Sequence, residues 1–387
     1  MAVVQAERPG LSRFILPILG LIAVGLCLGG LLVLLDPKGG PNLLASIYDA
    51  LGNTSGADDL RNGQGDQLIA KLILAAIALA VGVGGIWLLF LGVGGLVSQL
   101  EPKYRDRILP WVFVGPALAL LAVFLVYPAA GTILRSVQDE AGNFTLANFT
   151  VLLEPEFTAI LRNNLLWLVV GTAGSVVLGL VFAGLFDRVR RESLAKTIIF
   201  LPLAISLVGA SVIWQFVYAW QPEGQTQIGL LNAIVVGLGG EPIPWLTSNP
   251  LNVFCEIAIL VWLQTGFAMV VFSASIKGVS SEVLEAARLD GASERQIFLR
   301  VIIPMIRGSI ITVSTTIAIV TLKIFDIVYV TTGGRFGDDV VANRMFHEIF
   351  QFFEDGRGAA LATLLFIAVL PIMYINLRNF RRQQVEA

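Results

Sequence analysis

Residues 253–276 read VFCEIAILVWLQTGFAMVVFSASI, an unbroken apolar run that carries one charge, Glu256. A helix rises about 1.5 Å per residue, so about 20 such residues cross the roughly 30 Å hydrocarbon layer of a bilayer. The run is long enough, and it lacks the apolar–polar alternation of barrel strands. Backbone groups cannot stay unpaired in lipid, which leaves a helix as the spanning form. Working outward, seven further runs of this kind occur at 14–35, 69–97, 111–134, 165–186, 198–220, 309–330 and 359–378. The reading is an all-α membrane protein with eight transmembrane helices. Residues 1–105 form an N-terminal two-helix addition with an outer loop at 36–68, rich in Gly, Asn and Asp, and residues 106–387 form a six-helix core.

Composition agrees. Of 387 residues 56% are hydrophobic and 14% charged, against about 45–50% and about 25% in a soluble domain, which excludes an ordinary cytosolic enzyme. A net charge of −2 offers no bulk attraction for nucleic acid. One histidine, His347, and two cysteines, Cys27 and Cys255, are too few for a metal cage or a disulfide framework. The first run is longer than a signal-peptide core and no small-x-small site follows it; Leu26 before Cys27 argues against a lipoprotein site, so a retained helix is expected. Gly25-x-x-x-Gly29 and the Gly82, Gly84, Gly85 cluster would permit close helix contact, or reflect only how common Gly is in membrane helices. Lys and Arg number seventeen on one set of alternate loops and seven on the other, with Lys71 and Lys323 inside spans. The positive-inside rule then places both termini and the segment 277–308 in the cytoplasm.

That segment contains the longest polar stretch on its side, Val279 to Pro304, VSSEVLEAARLDGASERQIFLRVIIP. Val279, Val283, Leu284 and Ala287 share one helical face, and Ser280 or Ser281 can cap the helix with Glu282 in its first turn. Gly291 stands where a reversal needs positive φ. Ser293-x-x-Gln296 is a capping box that starts a second helix through Ile297, Phe298 and Val301, with Pro304 before the next span. The product is a helix-turn-helix elbow with small residues at Ala286, Ala287 and Ala292 and charges at Glu285, Arg288, Asp290 and Arg295. On pattern alone it serves either as a solvated connector or as a surface seated in another protein's groove.

Glu285-Ala286-Ala287, Asp290-Gly291-Ala292, Phe298 and Ile303-Pro304 resemble the EAA loop of membrane subunits of binding-protein-dependent ABC importers. The resemblance extends over roughly 111–382. Pro202 through Trp214, Gly229-Leu230-Leu231-Asn232, Trp245-Leu246, the run Trp262 to Met269, and Phe325-Asp326, Tyr329, Thr331 and Gly333-Gly334 look like the maltose-type sugar permeases. The strings LKIFDIVYVTT, FGDDVVANRMF and GRGAALATLLF are most similar to their α-glucoside branch. Two departures stand out: Arg335 occupies the place where that group usually has Pro, and the outer segment 135–164 is too short for the large outer domain of the enteric maltose permease. The resemblance implies a permease subunit that pairs with a second permease as a heterodimer, stands on two cytosolic ATPase subunits and is fed by an extracytoplasmic solute-binding protein. It implies that Glu285, Ala286, Ala287, Arg288, Asp290, Gly291 and Ala292 couple to the ATPase, Glu285 pairing with a basic residue there. ATP and Mg would belong to that partner, and this chain, which has no G-x-x-x-x-G-K-[ST], would bind no cofactor and catalyse nothing.

Charges inside spans cost on the order of 2.5–3.5 kcal/mol each and point to function or pairing. Lys323 and Asp326 are read at i, i+3 on the seventh helix and Glu256 near the start of the sixth, so either an ion pair locks helices together or the charges face a pore. A sugar site needs hydroxyl-bonding groups beside apolar walls. By resemblance, Thr316, Ile319, Val320 and Lys323 line it as one continuous face of the seventh helix, joined by Asp326 and, from the sixth, by Gln264, Thr265 and Phe267 around a break at Gly266. Tyr218, Trp220 and Tyr329 are equally interfacial anchors. The competing class is a proton-coupled secondary transporter using Glu256 and Asp326 as relay carboxylates, for which no inverted repeat is evident. A membrane hydrolase finds no H-E-x-x-H or G-x-S-x-G here.

Overall fold

The computed structural model describes residues 102–186 and 191–386, together with Ala45, Ala76, Leu79, Ala80, Val83, Gly84 and Trp87. The spans expected at 14–35 and 69–97 and the loop 36–68 lie outside these residues apart from those isolated positions. The chain divides into two compact units, Met1–Pro128 and Ala129–Ala387. In the first, helix α1 (Pro102–Leu121) runs into a π-helical turn, Ala122–Val126. Val123, Phe124, Leu125 and Val126 are all exposed, the surface expected of a helix whose solvent is lipid. At Gly84, the described member of the glycine cluster, no heavy atom of the described residues lies within 4 Å of a built Cβ.

Helices carry the second unit, and among the described residues only an isolated bridge, Gln138 to Phe144, has strand pairing. In order come α2 (Tyr127–Ser136), α3 (Pro155–Leu166), a π turn and α4 (Thr172–Phe186), then α5 (Glu192–Phe200), α6 (Leu207–Val217), α7 (Leu230–Gly237) and α8 (Leu251–Lys277). They are followed by α9 (Ser281–Leu289), α10 (Glu294–Ile297), a π turn and α11 (Ile303–Met305), α12 (Arg307–Leu322), α13 (Asp326–Thr331), α14 (Val341–Phe350) and α15 (Asp355–Glu386). Ala117–Ser136, Pro155–Phe186, Leu251–Lys277 and Asp355–Asn379 are long and apolar enough to cross a membrane, and the bent pairs Glu192–Ala204 with Leu207–Val217 and Glu294–Met305 with Arg307–Leu322 raise the number to six if each is one span. These six fall on the six apolar runs of the core; the count of eight would need the two runs outside the described residues.

Three expectations give way. The fifth run is not straight: it turns by 102°, because Ile205 and Ser206 are extended and the Ser206 hydroxyl accepts the Gly209 amide at 3.0 Å, starting a new helix. The seventh run does not continue to 330. Its helix stops at Leu322, Lys323 has left helical geometry (φ −108°, ψ 28°), and α13 restarts at Asp326. The Leu322 carbonyl is taken by the Asn164 amide of α3 at 3.1 Å, a bond local sequence does not announce. Finally, α8 is unbroken at Gly266. That glycine serves a crossing instead, since a Cβ there would stand 2.5 Å from the Ile199 carbonyl oxygen and 2.8 Å from Phe200 Cα of α5.

The central helix is α8. Its Ile257, Ile259, Leu260 and Leu263 pack with Trp167, Ile327 and Val328 in one cluster, and its Met269, Phe272 and Ile276 pack with Ile297, Ile302 and Ile317 in another. A Cβ at Gly179 of α4 would fall 2.5 Å from the Ala268 Cβ, so the two backbones cross in close contact, as small residues allow in membrane helices. A third cluster, Val151, Phe157, Ile160, Val341 and Leu361, joins α3, α14 and α15.

Candidate functional site

The segment 279–304 forms the expected elbow. The Ser280 hydroxyl accepts the Glu282 amide at 3.3 Å and starts α9. At its end Ala292 N–H donates to Ala287 O at 3.1 Å and Gly291 N–H to Arg288 O at 3.0 Å, the two bonds of a Schellman stop. Gly291 holds φ +80° between them. Ser293 and Gln296 then exchange both bonds of the capping box that opens α10. The Arg288 Nε donates to Glu294 Oε1 at 3.0 Å and ties the two arms together.

One face of the elbow is anchored. Val279, Leu284, Ala287, Ala292, Phe298 and Val301 pack against the cluster of Phe272, Ile276, Ile297 and Ile302. Phe298 presses toward α4, where a Cβ at Gly184 would stand 2.8 Å from its ring. The other face is open: Glu285, Ala286, Arg288, Asp290 and Gly291 are exposed, and Leu289 is 89% exposed. Val283, expected on the buried stripe, is 39% exposed, because the stripe closes over Leu284 and Ala287. Glu285 makes no hydrogen bond or ion pair with the described residues. A rigid body thus presents a free carboxylate beside small and apolar side chains.

At the far end of α8, side-chain amides hold the segment 322–341 that follows the helix break. Asn163 donates to Gly337 O at 2.9 Å and to Asp339 O at 3.0 Å, and Asn164 accepts the Val341 amide at 2.8 Å. Asn252 donates to Phe336 O at 3.1 Å and to Asp338 Oδ2 at 3.0 Å, and Gln215 to Val330 O at 2.6 Å. Burial pushes the carboxyls of Asp338 and Asp339 above the usual aspartate range, against the hydrogen bonds they accept. These amides went unread in the sequence; polar residues inside apolar runs, such as Asn163-Asn164 before LLWLVV, were the available signal.

Glu256 is fully buried and pairs with no cation among the described residues. Its Oε1 accepts from Thr331 at 2.5 Å and Thr332 at 3.3 Å, while Oε2 has no hydrogen-bond partner. Of the two alternatives left open for these charges, an ion pair between Lys323 and Asp326 is not made; the two residues lie on either side of the break between α12 and α13. Lys323 is exposed and Asp326 half-buried in the first turn of α13. No hydrogen bond joins Glu256 to Asp326, so the described residues hold no relay between them. Thr316, Ile319 and Val320 do share α12, with Lys323 as its cap. On α8, Gln264 and Phe267 are half-buried, whereas Thr265 is buried with its hydroxyl on Val261 O at 2.6 Å and Gly266 faces α5; neither of the latter borders open space within this chain.

The sequence pattern of the family described as "Binding-protein-dependent transport system inner membrane component" matches residues 175–382, which include the whole elbow. The chain belongs to that family. The permease is 49% identical over 276 residues to the osmoprotective compounds uptake permease protein GgtC of Synechocystis sp., covering 70% of its own length and 99% of that protein. It is 43% identical over 331 residues to the alpha-glucoside transport system permease protein AglF of Rhizobium meliloti, covering 82% and 98%. Among solved structures, a chain of a bacterial ABC transporter involved in alginate import superposes with a TM-score of 0.63 at 19% identity, covering 73% of the permease and 99% of that chain. A second structure of an alginate transporter, in complex with an alginate pentasaccharide-bound periplasmic protein, superposes with a TM-score of 0.59. The permease is thus a multi-pass inner-membrane transport component with the fold of those chains.

Proposed function

We propose that the permease forms half of the translocation pore of an ATP-driven importer for α-glucoside-type sugars such as maltose, trehalose, sucrose or glucosylglycerol. It pairs with a second permease as a heterodimer, on two cytosolic ATPase subunits that bind ATP and Mg, and receives sugar from an extracytoplasmic solute-binding protein. Both termini and the elbow lie in the cytoplasm, a placement supported by the excess of Lys and Arg on that side. Glu285, with Ala286, Ala287, Arg288, Asp290, Gly291 and Ala292 around it, seats in the ATPase. Closure of the ATPases moves the elbow as a body and, through Phe298 and the Ile276–Ile302 cluster, swings α4, α8 and α12 between outward and inward access. Sugar passes along Thr316, Ile319, Val320 and Lys323 with Gln264, Phe267 and Asp326; Thr265 and Gly266 support that wall from behind.

The observation that carries this reading is the two-faced elbow, packed into the core on one side and presenting an unpaired, exposed Glu285 on the other. The substrate class is supported by 43% identity across nearly all of an α-glucoside permease. The test is uptake of labelled trehalose and glucosylglycerol by the reassembled complex in vesicles. ATP-dependent uptake that requires the solute-binding protein is expected; uptake by this chain alone, driven by a pH gradient, would overturn the proposal.

A further inference from the structure

Beyond the break that follows α12, four aromatic rings form one continuous strip. Phe325, which caps α13, and Tyr329, one turn into it, stack at 5.0 Å between ring centroids. Phe346 of α14 meets Phe325 at 5.2 Å and Tyr329 at 4.9 Å, and Phe350, one turn further along α14, lies 4.8 Å from Phe346. Tyr329 is 42% exposed and Phe350 60%, while Phe325 and Phe346 are half-buried. The rings thus back onto the protein and keep open surface in front. Local pattern explains the facing: α13 turns Ile327 and Val328 into the core, and α14 buries Val341, Ala342 and Glu348. The Asn343 amide of α14 donates to Gly333 O at 3.3 Å, just past α13, and ties the two helices together.

The foot of the strip is charged. Lys323, two residues before Phe325, is exposed and makes no hydrogen bond or ion pair with the described residues, and Asp326, the residue after Phe325, is half-buried. This combination narrows the choice of occupant. Hydrocarbon offers neither charge a partner. An apolar helix laid along the rings would have to desolvate both. A saccharide meets both demands, since the C–H faces of its rings stack on aromatic faces while its hydroxyls accept from the ammonium and donate to the carboxylate. The strip also begins where the α12 face of Thr316, Ile319, Val320 and Lys323 ends, so it prolongs the path proposed for sugar.

We propose that Phe325, Tyr329, Phe346 and Phe350 form a stacking subsite for pyranose rings, which passes the sugar to Lys323 and Asp326. The choice of a sugar rests on the function proposed above. The test is saturation-transfer difference NMR of trehalose with the full-length chain in nanodiscs, aromatic protons being irradiated and mannitol, a polyol without a ring face, serving as control. Saturation of the trehalose C–H protons well above those of mannitol is expected. One aromatic face is worth about a two- to tenfold change in affinity, so the dissociation constant from a trehalose titration should rise about two- to tenfold in Phe350→Leu. It should return toward the parent value in Phe350→Trp, which a merely structural role would not restore, and stay unchanged in Phe144→Leu, a control at another exposed phenylalanine. Phe350 is exposed, so its variants keep the test valid should Phe346→Leu fail to fold. Equal saturation of mannitol, or a trehalose signal that survives Phe350→Leu undiminished, would hand the strip to lipid or to a second permease and overturn the proposal. The readout requires no transport: intact stacking without ATP-dependent uptake by the reassembled complex would support the subsite and count against the importer alone.

Discussion

Gly291→Ala is expected to loosen the elbow without any steric collision. No heavy atom lies within 4 Å of a Cβ built on Gly291, so the cost is confined to the backbone, which holds φ +80°. An L-residue in that left-handed region costs about 1–2 kcal/mol. Escape from the strain offers no cheaper route. Leaving that conformation surrenders the two stop bonds, Ala292 N–H to Ala287 O and Gly291 N–H to Arg288 O, together worth about 1–3 kcal/mol. A penalty of about 1–2 kcal/mol multiplies the local opening equilibrium by about 5–30. Hydrogen–deuterium exchange of the full chain in nanodiscs, followed in peptides covering 281–305, should therefore show the amides of 290–292 exchanging about 5–30 times faster. Gly291→Asn should fall between, because Asn tolerates the left-handed region better than Ala. ATP-driven uptake should decline in the order Gly, Asn, Ala. Exchange in Gly291→Ala within twofold of the parent protein would refute the claim that positive φ, rather than space, is what the elbow needs from residue 291.

Glu285→Gln should abolish ATP-driven uptake yet leave the unfolding temperature of the permease nearly unchanged, since an exposed, unpaired group contributes at most about 0.5 kcal/mol; calorimetry beside a transport assay separates the two. Lys323→Ala, also exposed, should alter sugar-stimulated ATPase activity of the assembled complex with little effect on stability, and an unaltered sugar response would remove it from the pathway. Burial raises the folded pKa values of Asp338 and Asp339 above the ordinary aspartate value, so the folded chain binds their protons more tightly than the unfolded one. Their contribution is full below that value and is lost as pH rises through the folded pKa, so stability should increase as pH falls from neutral toward 4. Asp338→Asn should flatten that slope in melting curves of the solubilised protein, and an unchanged slope would count against burial as the cause.

The parts of this protein that could be read from sequence are those governed by neighbours. The spans of the core, four among the described residues or six if each bent pair is one span, were legible because bilayer thickness and helical rise dictate a run length that any window along the chain reveals. The elbow was legible because its caps act within three or four residues: Ser280 on Glu282, Ser293 on Gln296, and Gly291 between them. Val283 shows the limit even there. Periodicity placed it on the buried stripe, but the width of that stripe was set by the helices beneath.

What local pattern could not supply was where an apolar run breaks and what a buried polar group meets. Residues 309–330 look like one helix, yet Asn164, 158 residues before Leu322, captures the carbonyl at the break. Glu256 could be read as half of an ion pair or as a pore-facing charge, and its hydrogen-bond partners are hydroxyls 75 and 76 residues away. Gly266 was read as a break in the helix and is a seat for the backbone of α5. Helix formation and capping depend on torsions and bonds within a turn, so sequence alone determined the spans and the elbow. The helix breaks, the amide-held segment and the aromatic strip depend on hydrogen bonds and packing between separate segments of the chain, so only tertiary structure decided them.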